Sequence, residues 1–364
     1  MKAVAPAALS LLIVSGSIGV LGSPETAQPA SAERFRLTVC PTGPGNPRNG
    51  EGDIIELRDG SLLLAYTKWI GAGGDLDNAE LVGKISEDGG RTWGEEFLIQ
   101  RNDAQMNVAG LSLLRMRSGN IILAYGRVNS TSDCFTVVRF SSNEGKTWGP
   151  EIRANPDPGY EFQENDKSVQ LSTGRLLSPV CWTPDFSKDT TLRSFCYYSD
   201  DRGYTWHRGK GMVEVPGGAQ EPAAVELKDG RVMMIFRSTG GYVGQAYSGD
   251  GGDTWTDPEM IQGMPCPCGP QSLERIPSTG DLLLIWENNP KAPEGDGMRT
   301  PLTAAVSRDD GATWEHYRDI ATDPAIYYGY TSVTFVKDRV LLTYYESWGN
   351  LILESMPVSW FYGE

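Results

Sequence analysis

The side chains that could carry chemistry in this 364-residue chain are carboxylates, tyrosines and arginines rather than histidines. Only two histidines are present, His207 and His316, and each lies within two residues of a tryptophan in a repeated motif. They are predicted to lie on a loop-bearing rim, which disfavours Ser-His-Asp catalysis and a His-rich metal centre. Carboxylates, Tyr and Arg are the groups of glycoside hydrolysis, which in some enzymes uses a Tyr nucleophile.

Five copies of one octapeptide indicate the elements that must position these groups. They share the pattern Ser-x-Asp/Asn-x-Gly-x-Thr-Trp and recur every 49 to 59 residues. The copies are Ser86–Trp93, Ser141–Trp148, Ser199–Trp206, Ser248–Trp255 and Ser307–Trp314. A fixed period of this size predicts a solenoid or a propeller. Asp and Ser can satisfy nearby backbone donors and Gly permits positive φ, so the octapeptide predicts a structural turn.

Six hairpins alternate with these octapeptides. Apolar and polar residues alternate around turns at Asp59-Gly60, Ser118-Gly119, Thr173-Gly174, Asp229-Gly230, Thr279-Gly280 and Lys337-Asp338. Six hairpins and five octapeptides predict an all-β fold, a six-bladed β-propeller of four-stranded antiparallel blades. The last blade has no octapeptide, and we expect it to take a strand from the N-terminal part of the chain, which removes an exposed sheet edge.

These motifs resemble those of the sialidase (neuraminidase) superfamily, in which the octapeptide is called the Asp box or BNR repeat. The resemblance covers nearly all of residues 33–364. It implies an active site over the central channel, at the ends and loops of the innermost strands. No cofactor and no metal are expected.

The resemblance implies three catalytic residues. Asp75 lies in the loop that follows the first hairpin, where the superfamily carries its acid/base Asp, although Asp75 or Asp77 could instead be a solvated loop residue. Glu221 opens the strand before the fourth turn, where a Glu accepts the proton of the nucleophilic Tyr. Tyr330 is the expected nucleophile, with Tyr327 and Tyr328 as alternatives. A neutral phenol approaches a carbon beside a carboxylate without charge repulsion, but it needs a base to be reactive.

The resemblance also implies a clamp of arginines for the carboxylate of an acidic sugar. Arg237 and Arg299 occupy two of the expected positions. The third is usually an Arg in an Arg-Ile-Pro motif, but the corresponding run, residues 49–54, contains no Arg. Arg48 and Lys167 are the candidates to bind substrate in its place, and Lys68 is a further possibility. Glu51 and Asp53 put negative charge in this region, so the substrate could differ from an ordinary sialoside.

Composition limits the partners. A net charge of −15 argues against nucleic acid and anionic membrane surfaces as partners. The six cysteines are expected to be buried or locally paired rather than metal ligands.

Residues 1–32 are predicted to be an export signal, because Lys2 precedes an apolar stretch and a small-residue segment ends at Ala32. The alternative is a membrane anchor. The signal predicts a secreted or periplasmic protein in which residues 33–364 form the propeller and no further segment spans a membrane.

Two functions from different classes are compatible with these patterns. The first is a retaining exo-glycosidase of sialidase type, which releases sialic acid or a related acidic sugar from glycans. The second is a carbohydrate-binding propeller without catalysis. A glycosidase or lyase for another acidic sugar is a variant of the first. Tyr, Glu and Asp together favour catalysis, because a lectin needs no activated phenol.

Overall fold

The computed structural model describes Met1 and residues 33–363, except Pro156 and Trp348, and it is built almost entirely of β-strands. The predicted export signal lies outside the described residues apart from Met1. Two short 3-10 helices, Ala292–Glu294 and Val358–Tyr362, are the helical elements of the described part. Within these residues no helix is long and apolar enough to cross a membrane.

The first hairpin shows why alternating residues form buried strands here. β2 (Arg48–Glu56) pairs with β3 (Leu62–Trp69) across the turn at Asp59-Gly60, where Gly60 adopts φ 86°. Leu62 and Leu64 pack into one hydrophobic cluster, while Leu63, between them, packs into another. Successive side chains of a strand point to opposite faces, so this sheet is sandwiched between two neighbours. Replacing such a leucine with alanine costs about 2–5 kcal/mol.

Four sheets have four antiparallel strands each, as predicted. The edge strand β1 (Phe35–Cys40) belongs to the sheet formed by the C-terminal strands, which is described below. The first contains β2, β3, β4 (Ala79–Ser86) and β5 (Phe97–Gln100). Another contains β15 (Gln220–Glu226), β16 (Val232–Arg237), β17 (Tyr242–Ser248) and β18 (Glu259–Pro265). The next contains β19 (Ser272–Arg275), β20 (Leu282–Glu287), β21 (Leu302–Ser307) and β22 (Glu315–Ala321).

The strands that lie between β5 and β15 in sequence form one nine-stranded sheet. Its strands are β6 (Asn107–Arg115), β7 (Ile121–Ser130), β8 (Asp133–Ser141), β9 (Ile152–Arg153), β10 (Gly159–Phe162), β11 (Val169–Gln170), β12 (Leu176–Thr183), β13 (Arg193–Ser199) and β14 (His207–Arg208). It consists of two groups joined by β10, which pairs parallel with β8 and antiparallel with β12. The parallel contact was not predicted from sequence.

The last sheet combines both ends of the described chain. It contains β1 together with β23 (Tyr328–Val336), β24 (Arg339–Glu346) and β25 (Asn350–Pro357). β1 pairs antiparallel with β25, with Phe35 opposite Ser355. The predicted contribution of an N-terminal strand to the C-terminal hairpin is therefore confirmed, as are all six predicted hairpins.

The five octapeptides are turns with nearly the same internal bonds. In the first, Asp88 Oδ1 accepts hydrogen bonds from the Ser86 hydroxyl and the Thr92 backbone N–H, both at 2.9 Å. The Ser86 hydroxyl oxygen accepts the N–H of Gly90 at 2.9 Å. The five tryptophans are partly buried against hydrophobic clusters of the sheets. The octapeptides are structural, as the sequence predicted.

Candidate active site

Four inner strands carry the same backbone irregularity. In β2, β6, β15 and β23 two residues face a single residue of the partner strand, which is a β-bulge. The first residue of each bulge has positive φ: 50° at Glu51, 66° at Gly110, 46° at Glu221 and 56° at Tyr330. This conformation costs a non-glycine residue about 1–2 kcal/mol, so three strained side chains mark one region of the molecule.

The bulge in β6 requires a glycine, Gly110, for a different reason. A Cβ atom on Gly110 would lie 2.8 Å from the carbonyl oxygen of Gln163 and 2.9 Å from the ring of Phe162. The bulge in β6 therefore presents no side chain, and the Phe162 ring takes the space.

A cavity of about 450 Å³ lies where the strained residues meet. Its polar lining is Glu51, Asp75, Asp77, Glu164, Gln220, Glu221, Arg237 and Tyr330. Its apolar lining includes Trp69, Leu76, Tyr160, Phe162, Phe186 and Leu192. All three predicted catalytic residues and Arg237 line this cavity, whereas Arg48, Arg299 and Lys167 do not.

A larger cavity of about 920 Å³ lies among hairpin turns and Asp boxes. It is lined by residues such as Thr173, Asp200 and Asp250 and contains none of the predicted site residues. The chemistry therefore favours the smaller cavity.

Tyr330, Glu221 and Arg237 form a hydrogen-bonded line. The Tyr330 hydroxyl donates to Glu221 Oε1 at 3.1 Å, and Arg237 Nη2 donates to the same oxygen at 2.6 Å. Burial raises the pKa of Tyr330 well above its usual value, the charge of Glu221 raises it further, and Arg237 opposes both. The phenol is therefore neutral, and a carboxylate that can take its proton lies in contact with it.

Two guanidinium groups meet on one backbone oxygen beside this line. Arg237 Nη1 and Arg299 Nη2 each donate to the carbonyl oxygen of Cys268 at 3.1 Å. The guanidinium carbon of Arg299 lies 5.9 Å from the centre of the Tyr330 ring, although Arg299 does not line the cavity. Convergent arginines are the geometry that binds a carboxylate.

Arg48 bridges two carboxyl groups that line the cavity, Glu51 and Asp75. Its Nη1 donates to Asp75 Oδ1 at 2.6 Å, and its Nη2 donates to Glu51 Oε1 at 2.9 Å. The guanidinium carbon lies 3.8 Å from the centre of the Trp69 ring. The Asp75 side chain is 75% exposed, whereas that of Arg48 is 3% exposed, so Asp75 is the solvent-facing end of this group. Burial raises the pKa of Glu51 to about 7, with Arg48 opposing the shift.

The loop that carries Asp75 is held by its neighbours. Asp77 Oδ2 accepts the backbone N–H of Gly74 at 2.7 Å, which gives Asp77 a role in the turn. Gly73 has φ 87°, and a Cβ atom there would lie 2.9 Å from Pro47. The loop is therefore closely packed at its base, while the Asp75 carboxylate is presented to the cavity.

Three charged residues considered in the sequence lie elsewhere. Lys167 Nζ donates to the carbonyl oxygen of Gln271 at 2.8 Å and does not reach the cavity. Lys68 Nζ donates to Glu96 at 2.5 Å. Asp53 Oδ2 accepts the backbone N–H of Leu113 at 2.6 Å. Of Glu51 and Asp53, the acidic residues in the segment without the expected Arg, only Glu51 lines the cavity.

Residues 164–167 are polar enough in sequence to line a pocket, but the sequence assigns no role to Glu164. It also does not predict the aromatic wall of the cavity, which comprises Tyr160, Phe162 and Phe186. Glu164 is buried, and burial followed by the charges of Glu221 and Glu51 raises its pKa well above its usual value. The rings of Tyr160 and Phe186 stack at 4.9 Å between centroids. Glu164 stood in a polar segment recognisable from sequence, but the wall depends on the parallel pairing of β10, which has no local signal.

Neither disulfides nor a metal cluster accompany the cavity in the described part of the chain. All six cysteines belong to the described part of the chain. They are free thiols, and five of them are buried. Among the described residues no group of three or more His, Cys, Asp or Glu side chains could hold a metal ion.

Comparison with known proteins gives the family. The BNR repeat-like domain family matches residues 69–342. A sialidase of Micromonospora viridifaciens is 28% identical over 292 residues, which cover 70% of this chain and 43% of that protein. The chain spans between 30% and 50% of the length of four such relatives.

Solved structures share the fold at lower identity. The Hadza microbial sialidase Hz136 has a TM-score of 0.73 and 19% identity, covering 86% of this chain and 66% of that one. A protein of unknown function from Dyadobacter fermentans has a TM-score of 0.71 and 21% identity, covering 88% of this chain and 98% of that one. The chain therefore belongs to the BNR repeat-like domain family and, with it, to the sialidase superfamily.

Proposed function

We propose that this protein is a retaining exo-α-sialidase-like glycoside hydrolase that releases terminal sialic acid or a related acidic sugar from glycans. The observation that carries the proposal is the hydrogen bond from the Tyr330 hydroxyl to Glu221, beside the convergent Arg237 and Arg299. A binding protein has no need to place a buried phenol against a carboxylate.

The first step forms a glycosyl-enzyme intermediate. The Tyr330 oxygen attacks the anomeric carbon while Glu221 takes the phenolic proton. The glycosidic bond breaks, and protonated Asp75 gives its proton to the departing oxygen. Asp75 suits this role because it lies at the exposed side of the cavity, where an aglycone can leave.

The second step returns the enzyme to its starting state. Asp75, now ionised, takes a proton from a water molecule, and the oxygen of that water attacks the anomeric carbon. The bond from the anomeric carbon to Tyr330 breaks, and Glu221 returns its proton to the phenolate oxygen. The anomeric configuration is retained because it is inverted twice.

Arg237 and Arg299 bind the sugar carboxylate in place of the Cys268 carbonyl oxygen. Arg48 contributes less to this clamp than Arg237 and Arg299, because its two terminal nitrogens are already hydrogen-bonded to Glu51 and Asp75. Glu164, kept protonated, donates a hydrogen bond to a sugar hydroxyl. Lys167 has no part in binding.

The finer architecture and the location of the protein belong to the same proposal. The six hairpins, with β10 and β11 together as one interrupted inner strand, support six blades around a channel. Residues 1–32 act as an export signal, and the mature protein is secreted or periplasmic. N-terminal sequencing of the exported protein tests this, since an uncleaved N-terminus contradicts it.

The decisive experiment measures fluorophore release from an aryl α-sialoside by the purified protein and by Tyr330→Phe. Turnover that is lost in the variant, with sialic acid binding retained in calorimetry, supports the proposal. Binding without turnover in the wild type favours the lectin. If the wild type neither binds sialic acid nor turns over the sialoside, the substrate is a different acidic sugar.

A further inference from the structure

Two buried asparagines hold the backbone on either side of the cavity. Asn107, 0% exposed, donates from Nδ2 to the carbonyl oxygens of Asp75 at 2.7 Å and Asp77 at 2.9 Å. Asn165, 1% exposed, donates from Nδ2 to the carbonyl oxygens of Gly52 at 2.9 Å and Tyr330 at 3.1 Å. Carbonyl oxygens only accept, so the nitrogen of each amide must face them.

Each asparagine comes from a different part of the chain than the backbone it holds. Asn107 opens β6 and reaches back to the loop between β3 and β4. Asn165 lies between β10 and β11 and reaches the bulges of both β2 and β23. Loop and bulge carbonyl groups have no ladder partner, so a buried side-chain donor both satisfies them and fixes their position.

We propose that Asn107 and Asn165 are positioning residues for two different events: Asn107 for proton donation by Asp75, and Asn165 for attack by Tyr330. This inference rests on the proposed function. Without its amide, the loop or the bulge relaxes, and a displacement of about 1 Å costs on the order of 10²-fold in rate.

The two roles are separable by the leaving group. An alkoxide needs a proton as the glycosidic bond breaks, whereas an aryl oxide departs without one. Misplacing Asp75 therefore slows the reaction of an alkyl sialoside much more than that of an aryl sialoside. Misplacing Tyr330 slows both, because the same oxygen attacks in each. The ratio kcat/KM covers substrate binding, attack and departure, so the later hydrolysis step does not enter.

The experiment compares kcat/KM for sialyllactose and for an aryl α-sialoside in the wild type, Asn107→Ala and Asn165→Ala. For Asn107→Ala we expect a loss of about 10²-fold on sialyllactose and less than about 10-fold on the aryl sialoside. For Asn165→Ala we expect a loss of about 10²-fold on both.

Asn155→Ala is the matched control. Asn155 is also buried, but its Oδ1 accepts from the Tyr197 hydroxyl and the Asp157 N–H, and neither residue lines the cavity. It should lower the melting temperature without changing the ratio of the two kcat/KM values. If an alanine variant is unfolded by circular dichroism, Asn107→Leu or Asn165→Leu replaces it, because Leu has a similar volume and carries no hydrogen-bond donor.

The outcomes separate the two proposals. Equal losses on both substrates in the Asn107 variants would show that Asn107 is merely structural, while the proposed function would stand. A changed substrate ratio, or no loss, in the Asn165 variants would overturn the assignment to the nucleophile. A wild type that turns over neither sialoside overturns the proposal that sialic acid is the sugar released, and this inference with it.

Discussion

The Asp-box turns and the bulged inner strands satisfy their backbones in different ways. The Ser, Asp and Thr side chains of an Asp box hydrogen-bond within its own eight residues, as Ser307, Asp309 and Thr313 do. The β23 bulge instead depends on distant side chains: Asn165 holds the Tyr330 carbonyl, Ser272 holds the Thr331 carbonyl and Asp166 holds the Val333 N–H. A self-contained turn can be repeated unchanged, whereas the bulges can differ and carry chemistry.

The pKa values of carboxyl groups are lowered in the Asp boxes and raised beside the cavity. In the third Asp box, hydrogen bonds from Thr205 lower the pKa of the exposed Asp201 to about 2. Beside the cavity, burial raises the pKa of Glu51 to about 7, and that of Glu164 also rises well above its usual value. The same residue types are therefore fixed anions in the turns and proton carriers around the cavity.

The largest effect is expected from Tyr330→Phe. Removing the attacking oxygen should lower kcat by about 10⁴-fold or more, on the scale seen when other enzymes lose a nucleophile. The ring remains to pack against Tyr345, so the melting temperature and the affinity for sialic acid should change little. A variant that keeps most of the wild-type activity would contradict the assignment and remove the chemical contrast between the two regions.

A second prediction concerns stability against pH. Burial raises the pKa of Glu161 to about 8, from an ordinary value of 4.5, with Thr136 opposing the shift. The folded state then binds the proton more tightly, so this stability is fully present below pH 4.5 and is lost as pH rises through about 8. The free energy of unfolding of the wild type should therefore fall between pH 5 and 8.5. In Glu161→Gln that fall should be smaller by a few kcal/mol, on the order implied by such a shift.

Its matched control lies in an Asp box. Asp201→Asn should leave the slope between pH 5 and 8.5 unchanged, because a group with a pKa of about 2 does not titrate there. Asn is compatible with the turn, since Asn143 occupies this place in the second Asp box. Chemical denaturation at several pH values measures both slopes, and parallel curves for the wild type and Glu161→Gln would contradict the prediction.

A third prediction concerns the Arg48–Glu51 pair. Glu51→Gln keeps an acceptor for Arg48 but removes a negative charge from the cavity, so KM for an anionic sugar should fall by about 10-fold above pH 7. At pH 6 the effect should nearly vanish, because wild-type Glu51, with a pKa of about 7, is mostly protonated there. Asp53→Asn, which does not line the cavity, should leave KM unchanged at both pH values.

The smallest effect on activity is expected from Asp309→Ala in the fifth Asp box. It removes three hydrogen bonds at a solvent-exposed turn, which should cost about 1–2 kcal/mol of unfolding free energy. Its kcat/KM should equal that of the wild type. A loss of activity larger than the loss of stability explains would show that the turns influence the site.

The strands and turns were predictable from sequence because their signals are local. The Asp boxes repeat, the six hairpins alternate apolar and polar residues, and Tyr330, Glu221 and Arg237 were placed by resemblance to a known family. The setting of Arg48 was not predictable, since its two carboxylate partners depend on a bulge and a loop fold. Lys167 was a candidate to bind substrate but does not line the cavity, and the aromatic wall was not predicted. The direction of a side chain in or beside an interrupted strand depends on contacts between sheets.

The pairing of β1 with β25 has a consequence for how the protein is made. Arg34 and Glu354, which form an ion pair beside this pairing, are 320 residues apart. At about 5–20 residues per second, a ribosome needs tens of seconds to synthesise the intervening chain. During that time β1 has no partner and is exposed to pairing with other nascent chains. A chain that stops before β25 would leave β1 as an unpaired edge strand.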